Sequence, residues 1–254
     1  MSIKQLLAAL SVLAALVLAF WFLRVQPPAT PPLSDTPVLM GTSTPEGDYY
    51  YVENAPYYTI DAYYPSRTAL EGSADIKARH TIEQRLADRI AEFKQNSNFD
   101  ALTAEDIKIQ GLGGDRKYAL ALEYKAYASP SYASYRYAIY EDTLGAHPNG
   151  YYLTFVFDKE GNEVQLSQVL GSNPNWLEEL SLLVSNNVTA QLKARTGTDD
   201  LSGAVFAEGL SPKVQNFENF VVDGDTLAIF IPPYQVAAYA VGAFEVRIPL
   251  ADLR

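Results

Sequence analysis

Residues 6–23 read LLAALSVLAALVLAFWFL, with Ser11 the single polar residue and no charge in the run. A stretch like this cannot lie on the surface of a water-soluble fold. As a helix rising ~1.5 Å per residue it is about 27 Å long, close to the hydrocarbon core of a bilayer. It predicts a single transmembrane signal-anchor over 6–24. Residues 1–5 are then a cytoplasmic stub, and everything after the run lies outside the cytoplasm. Basic residues flank it on both sides, Lys4 before and Arg24 after, which weakens the positive-inside signal. The orientation rests instead on the short amino-terminal stub and on the export of an acidic body from a chain of net charge −11. Phe20, Trp21 and Phe22 suit the outer membrane interface. A cleaved signal peptide is the rival reading. It needs small residues behind the apolar run, and here Phe-Trp-Phe-Leu-Arg closes it instead.

Next comes a spacer. Pro27, Pro28, Pro31, Pro32, Pro37, Pro45 and Pro56 punctuate residues 25–56, with few apolar residues between them. Such a stretch buries too little surface to offset its ordering entropy and favours polyproline II. It reads as a linker, with local packing expected near Tyr49, Tyr50 and Tyr51. Cysteine is absent, so disulfides, thiolate metal sites and a thiol nucleophile are excluded. The exported part must hold together by its own core.

From residue 57 the pattern is regular. YYTIDAYY (57–64) alternates like a strand and is closed by Pro65. Ile82, Leu86, Ile90 and Phe93 recur at helical spacing within 73–95, with Ser73 as the expected N-cap and Asp75 at the positive end. Residues 117–127 and 132–140 alternate around Ser129-Pro130-Ser131 and read as a hairpin. A strand is expected over 151–157, then a turn at Asp158–Gly161 leading into Glu163–Leu166. A second helix is expected over 174–195, with Pro174 at its first position and Leu177, Leu180, Val184, Val188 and Leu192 as its stripe. Asp223-Gly224 between β-prone runs signals a tight hairpin. Phe244–Leu250 alternates as a last strand. The whole reads as an α+β fold of largely antiparallel sheets with two long helices packed on them. Two lobes split near 141–150 are one arrangement that this order allows, the first spanning 57–142.

Eighteen tyrosines are many for 254 residues. Two readings stay open. Tyrosine suits half-buried strands; it also stacks on sugar rings or anchors a protein partner. The negative charge and the lack of a basic patch exclude nucleic acid.

Catalytic motifs are scarce. There is no H-E-x-x-H, no histidine pair at helical spacing, no G-x-S-x-G and no phosphate-cradling glycine loop. No cofactor or metal is implied. Asp158, Glu160 and Asn162 are spaced like the start of a calcium loop, but Gly161 comes too early and strands flank it, so a turn is expected. His80 reads as a solvated helix residue.

Two segments carry a resemblance. Thr143-Leu144-Gly145-Ala146-His147-Pro148-Asn149 precedes the aromatic strand YYLTFVF. About 90 residues on, YQVAAYAVG (234–242) precedes FEVRIPL. Together they resemble the RsiV-like ectodomain family, whose pattern is roughly G-G-A-H-P-N followed by Y-x-V-A-P-Y-A-x-G. The family is the extracellular part of a lysozyme-sensing bacterial anti-sigma factor, and similar domains precede some peptidoglycan deacetylases. Leu144 and Ala238 depart from the family's usual glycine and proline. The resemblance makes 143–254 the RsiV-like domain. It implies a non-catalytic, membrane-anchored binding or sensing domain of the bacterial envelope, with lysozyme or peptidoglycan as partner. With so short an amino-terminal stub, direct sigma-factor binding is not expected. The candidate ligand-binding residues are His147, Asn149, Tyr234 and Tyr239. Alternatives are a purely structural role for them, an envelope hydrolase using His147 with Glu141 or Asp142, and a module that binds another membrane protein.

Overall fold

The structure is a computed structural model that describes residues 42–43, 48–171, 173–201 and 205–253. The apolar run Leu6–Leu23 and most of the proline-rich segment lie outside the described residues. Among the described residues no helix is long and apolar enough to cross a membrane.

A six-stranded sheet forms first. Its strands are β1 (Thr42–Ser43), β2 (Tyr49–Asn54), β3 (Tyr58–Tyr64), β4 (Tyr118–Ala128), β5 (Ala133–Asp142) and β6 (Asn149–Phe157), side by side in that order. The expected β4–β5 hairpin is present, antiparallel from Ala128↔Ala133 to Ala119↔Asp142. β3 and β4 are instead parallel, Ile60 opposite Leu120. A parallel neighbour requires a long crossover, and helix α1 (Gly72–Ser97) followed by α2 (Ala104–Gln110) provides it. The α+β reading with antiparallel-rich sheets therefore holds, with this one parallel pair added.

Helix α1 buries Ala78, Ile82, Leu86, Ile90 and Phe93 against Ile60, Leu120, Leu122, Tyr135, Tyr137, Phe155 and Phe157. The stripe read from the sequence is the one buried. The cap differs. Glu71 holds the N-cap position, and Ser73 lies within the helix. The Asp75 carboxylate instead accepts the Thr68 N–H at 2.6 Å and the Thr68 hydroxyl at 2.8 Å, tying the entry loop to the first turn. The linker expected through residue 56 also ends earlier, because Tyr49–Asn54 pairs along β3 as β2. Its tyrosines explain why: Tyr50 stacks on Tyr63 at 4.4 Å, and Tyr49 lies 5.5 Å from Tyr64.

A polar hub joins β2, β3 and α1. Glu53 accepts hydrogen bonds from Tyr51, Tyr58 and Lys94. Partial burial opposes its charge, but the hydrogen bonds from Lys94, Tyr51 and Tyr58 outweigh it and hold the carboxyl below the usual range. Stability from this charge is complete above the unfolded carboxylate pKa and is lost as pH falls through the depressed folded value. Glu53→Gln is expected to cost about 1 kcal/mol at neutral pH, since a half-exposed pair is screened, and less at pH ~3, below the ordinary carboxylate range. Urea midpoints of both proteins at the two pH values check this; an equal loss at both would contradict it.

Three more strands, β7 (Phe220–Asp223), β8 (Thr226–Ile231) and β9 (Phe244–Pro249), make a second antiparallel sheet. Gly224 and Asp225 form the β7–β8 turn, since Asp223 pairs with Thr226. Gly224 takes φ +62°, the positive φ that a two-residue hairpin needs at its first central position. Helix α4 (Trp176–Thr196), preceded by the short α3 (Leu166–Leu170), covers the outer face. Leu180, Val184, Val188 and Leu192 meet Leu227, Ile229, Ile231, Phe244, Val246 and Ile248. Pro174 falls one residue before the Asn175 N-cap, outside the helix where it was expected. Glu163 makes a single bridge to Phe157, and the chain enters α3 at Leu166, where an extended segment was expected.

The inner face of the small sheet, Val221, Ala228 and Phe230, packs on Tyr127 and Tyr152 of the large one. The layers thus run α1, large sheet, small sheet, α4. The large sheet keeps β6, so the sequence position 142/143 falls in the β5–β6 connection.

β7 meets the large sheet with its free edge. Phe220 N–H donates to the Thr154 hydroxyl at 3.2 Å, and that hydroxyl donates to Glu218 O at 3.2 Å. Val222 N–H donates to the Ser134 hydroxyl at 3.1 Å, which in turn donates to Val222 O at 3.2 Å. Gly224 N–H reaches Ala128 O at 2.9 Å. An edge strand buried against another sheet would otherwise leave these groups unpaired.

Candidate functional site

Two connections meet at one end of the sheets. The first, Thr143–Pro148, joins β5 to β6. Leu144 takes φ +59°, and its N–H donates to the Asp142 carboxylate at 2.7 Å, which holds the turn. His147 follows. Its Nδ1 lies 3.1 Å from Pro148 O. A carbonyl oxygen only accepts, so Nδ1 carries the proton and Nε2 is left as an acceptor.

The second connection, residues 232–243, joins β8 to β9. Val236 and Ala237 bury into the core under α4. Gln235 donates to Gly209 O and Asn216 O, each at 2.9 Å. Gly209 is required there: a Cβ would come within 1.9 Å of Gln235 O. At the far end Arg195 of α4 donates to Val241 O at 3.0 Å and Ala243 O at 2.9 Å. Tyr234, in the left-handed region at φ +71°, stands just before the first anchor, and Tyr239 stands between the two. A bulky residue at positive φ costs of order 1–3 kcal/mol, so the surroundings impose this conformation.

The two connections bring three rings together. His147 stacks face to face on Tyr239, centroids 3.9 Å apart and planes 13° apart. Tyr234 donates its hydroxyl to His147 Nε2 at 2.7 Å, and its ring lies 5.5 Å from Tyr239. Tyr234 remains 53% exposed, so the cluster faces solvent. Three of the four candidate residues therefore meet. Asn149 does not join them: it opens β6 opposite Glu141, with an exposed side chain. Of the small residues beside the tyrosines, Ala237 is buried while Ala238 and Ala240 are exposed.

The carboxylates considered as partners of His147 are occupied elsewhere. Glu141 points to the α1 face, where Arg89 reaches it at 2.5 Å and the Tyr151 hydroxyl at 2.8 Å. Asp142 holds the Leu144 turn. His80 is exposed on α1. Asp158 accepts from Glu160 N–H, Asn162 N–H and the Asn162 amide, which makes it the clasp of the expected turn.

Next to the ring cluster lies a cleft of about 480 Å³ on the face of the large sheet opposite α1. Ala121, Ala138 and Gly150 pave it. Tyr140, Tyr152 and Glu123 rise around it, and Pro233 and Ala243 form its rim. Burial and the neighbouring Asp142 push the Tyr140 phenol up, so it stays neutral. Sequence reading missed this cleft. Its parts come from three strands and one loop, and only the pairing of Tyr140 with Gly150 and of Ala138 with Tyr152 assembles them.

The fold has solved relatives. A DUF3298-family protein from Bacteroides fragilis superposes with TM-score 0.55 at 18% identity, over 80% of this chain and 89% of its own. Another from Pseudomonas aeruginosa gives TM-score 0.50 at 13% identity, over 81% and 89%. Identities this low speak for the shared fold alone. No curated protein matches the sequence. The family model described as protein of unknown function (DUF3298) matches residues 173–251, the span of α4, the small sheet and both cluster tyrosines, so this chain has the fold of solved DUF3298-family proteins and carries that family's sequence pattern in its C-terminal third.

Proposed function

We propose that this protein is a non-catalytic binding or sensing domain of the RsiV-like kind. In this reading Leu6–Leu23 anchors it in a bacterial cell membrane as a single pass, with the folded part outside the cytoplasm. Its partner is lysozyme or a peptidoglycan fragment. The observation that carries the reading is the ring cluster. His147 and the two tyrosines lie about 90 positions apart, and two separately anchored loops hold them in contact at the surface. Evidence of design lies in Tyr234, which stays exposed in a costly backbone conformation. An acidic chain attracts a basic partner such as lysozyme over long range.

Calorimetric titration of the full chain with lysozyme and with soluble peptidoglycan fragments tests this. Saturable binding to one of them is expected, with Tyr239→Ala weakening it about tenfold or more, a loss of ~1.4 kcal/mol. Stability should change little, because the cluster is solvent-facing. Absence of binding to either ligand would end the reading.

A further inference from the structure

We propose that the cleft between Tyr140 and Tyr152 is a subsite for a neutral pyranose ring. The inference rests on the binding reading above and gives it a ligand chemistry. A pyranose presents a flat C–H face and a girdle of hydroxyls. The first calls for aromatic surface, the second for a few hydrogen-bonding groups at the edge, and both are present.

Tyr140 and Tyr152 stand on the same face of neighbouring strands, because their pairing partners are Gly150 and Ala138. These small residues, with Ala121, leave room between the rings at the level of the sheet. Aromatic faces attract the polarised C–H groups of such a ligand. Tyr152 is held from behind: its ring lies 5.6 Å from Phe230, and the Arg136 guanidinium sits 5.5 Å over it. That fixes one stacking wall before any ligand arrives, which lowers the entropy cost of binding. Tyr140 is 45% exposed and provides the opposite wall. Glu123 stands at the edge as a hydroxyl acceptor. The volume lies within the range of small-molecule sites, which pair apolar walls with few polar groups.

Charge narrows the ligand. Glu123 in the wall and a chain of net charge −11 repel phosphorylated and acidic sugars. A neutral saccharide meets no such penalty. Pro233 and Ala243 on the rim belong to the same β8–β9 connection that carries Tyr234 and Tyr239.

The test uses the full-length chain in a sugar-free zwitterionic detergent, titrated with cellotriose and with chitotriose. Calorimetry gives affinity, and aromatic proton shifts locate the site. Saturable binding is expected for at least one trimer, with the Tyr140 and Tyr152 resonances moving. Tyr140→Ala should weaken it about tenfold, whereas Tyr140→Phe keeps the ring and should retain it. Glu123→Gln should weaken binding less than Tyr140→Ala. Tyr140 is chosen because it is exposed, whereas Tyr152 packs on Phe230 and its removal risks the fold. No saturable binding to either trimer, or equal affinity for the wild type and Tyr140→Ala, overturns the inference. If lysozyme or peptidoglycan fragments bind while both trimers fail, only the sugar subsite falls. If nothing binds, the binding reading falls with it.

Discussion

Above pH ~10 the protein is expected to lose stability steeply and to release the protons of its buried tyrosines in one cooperative step. Tyr127, Tyr135 and Tyr137 are 6%, 2% and 0% exposed. Burial pushes each phenol up. It outweighs the Arg136 charge near Tyr127 and the Ala69 N–H donated to Tyr135. In the unfolded chain all three ionise near pH 10. Below that value both states hold the protons, and the contribution is complete. Above it the unfolded state gives them up while the folded state keeps them, so stability falls with a slope of up to ~1.4 kcal/mol per pH unit for each group until its raised folded value is passed. Tyr58 adds to the same window. Burial and the bond to Glu53 push it up to about 12, so its share is lost as pH rises between ~10 and that value. The check is tyrosinate absorbance and far-ultraviolet circular dichroism followed together in an alkaline titration. Coincident sharp transitions are expected. A gradual titration of all tyrosines near their ordinary value, with the dichroism intact, would show that the rings are not held as described.

Ser134→Val is expected to lower stability by about 2–5 kcal/mol, since two buried backbone groups lose their partners at once. Ser134 is fully buried, and its hydroxyl both accepts from and donates to Val222. Valine leaves Val222 N–H and C=O facing an apolar methyl; it adds the same extra methyl as threonine, so the difference between the two variants isolates the hydroxyl. The orphaned pair, rather than a cavity, is the cause. Ser134→Thr keeps a hydroxyl and is the control. Urea denaturation measures the loss. Equal midpoints for the valine variant and the wild type would mean that water or a shifted β7 edge pairs these groups.

Much of the fold was legible because its elements keep strict periods. Residues 118–124 and 135–139 alternate, and α1 and α4 repeat their apolar positions at helical spacing. β2 was hidden because its tyrosines follow a proline-rich stretch, and only its partner β3 makes them a strand. The parallel β3–β4 pairing has no local signature, since it depends on where α1 returns the chain. α2 did leave a signal: Thr103 and Asp106 form a capping box. α3 is only five residues long, too short for a period to show.

The site divides in the same way. His147, Tyr234 and Tyr239 were singled out through a resemblance, and the two loops do bring their rings together. Asn149 came from the same motif and stands apart, because strand pairing turns it outward at the head of β6. No rule of residue chemistry pointed to Ala121, Ala138 or Gly150. Their value is the side chain they lack, and such a gap is visible only when three strands lie side by side.

The His147–Tyr239 stack spans the two sheets: the imidazole hangs from the loop after β5 and the phenol from the loop before β9. At 3.9 Å, face to face, the tyrosine ring current shields the imidazole protons. Their resonances therefore carry an intrinsic label that needs no dye. An upfield-shifted His147 signal marks the assembled molecule, and its drift toward a free-histidine position would time the separation of the small sheet from the large one.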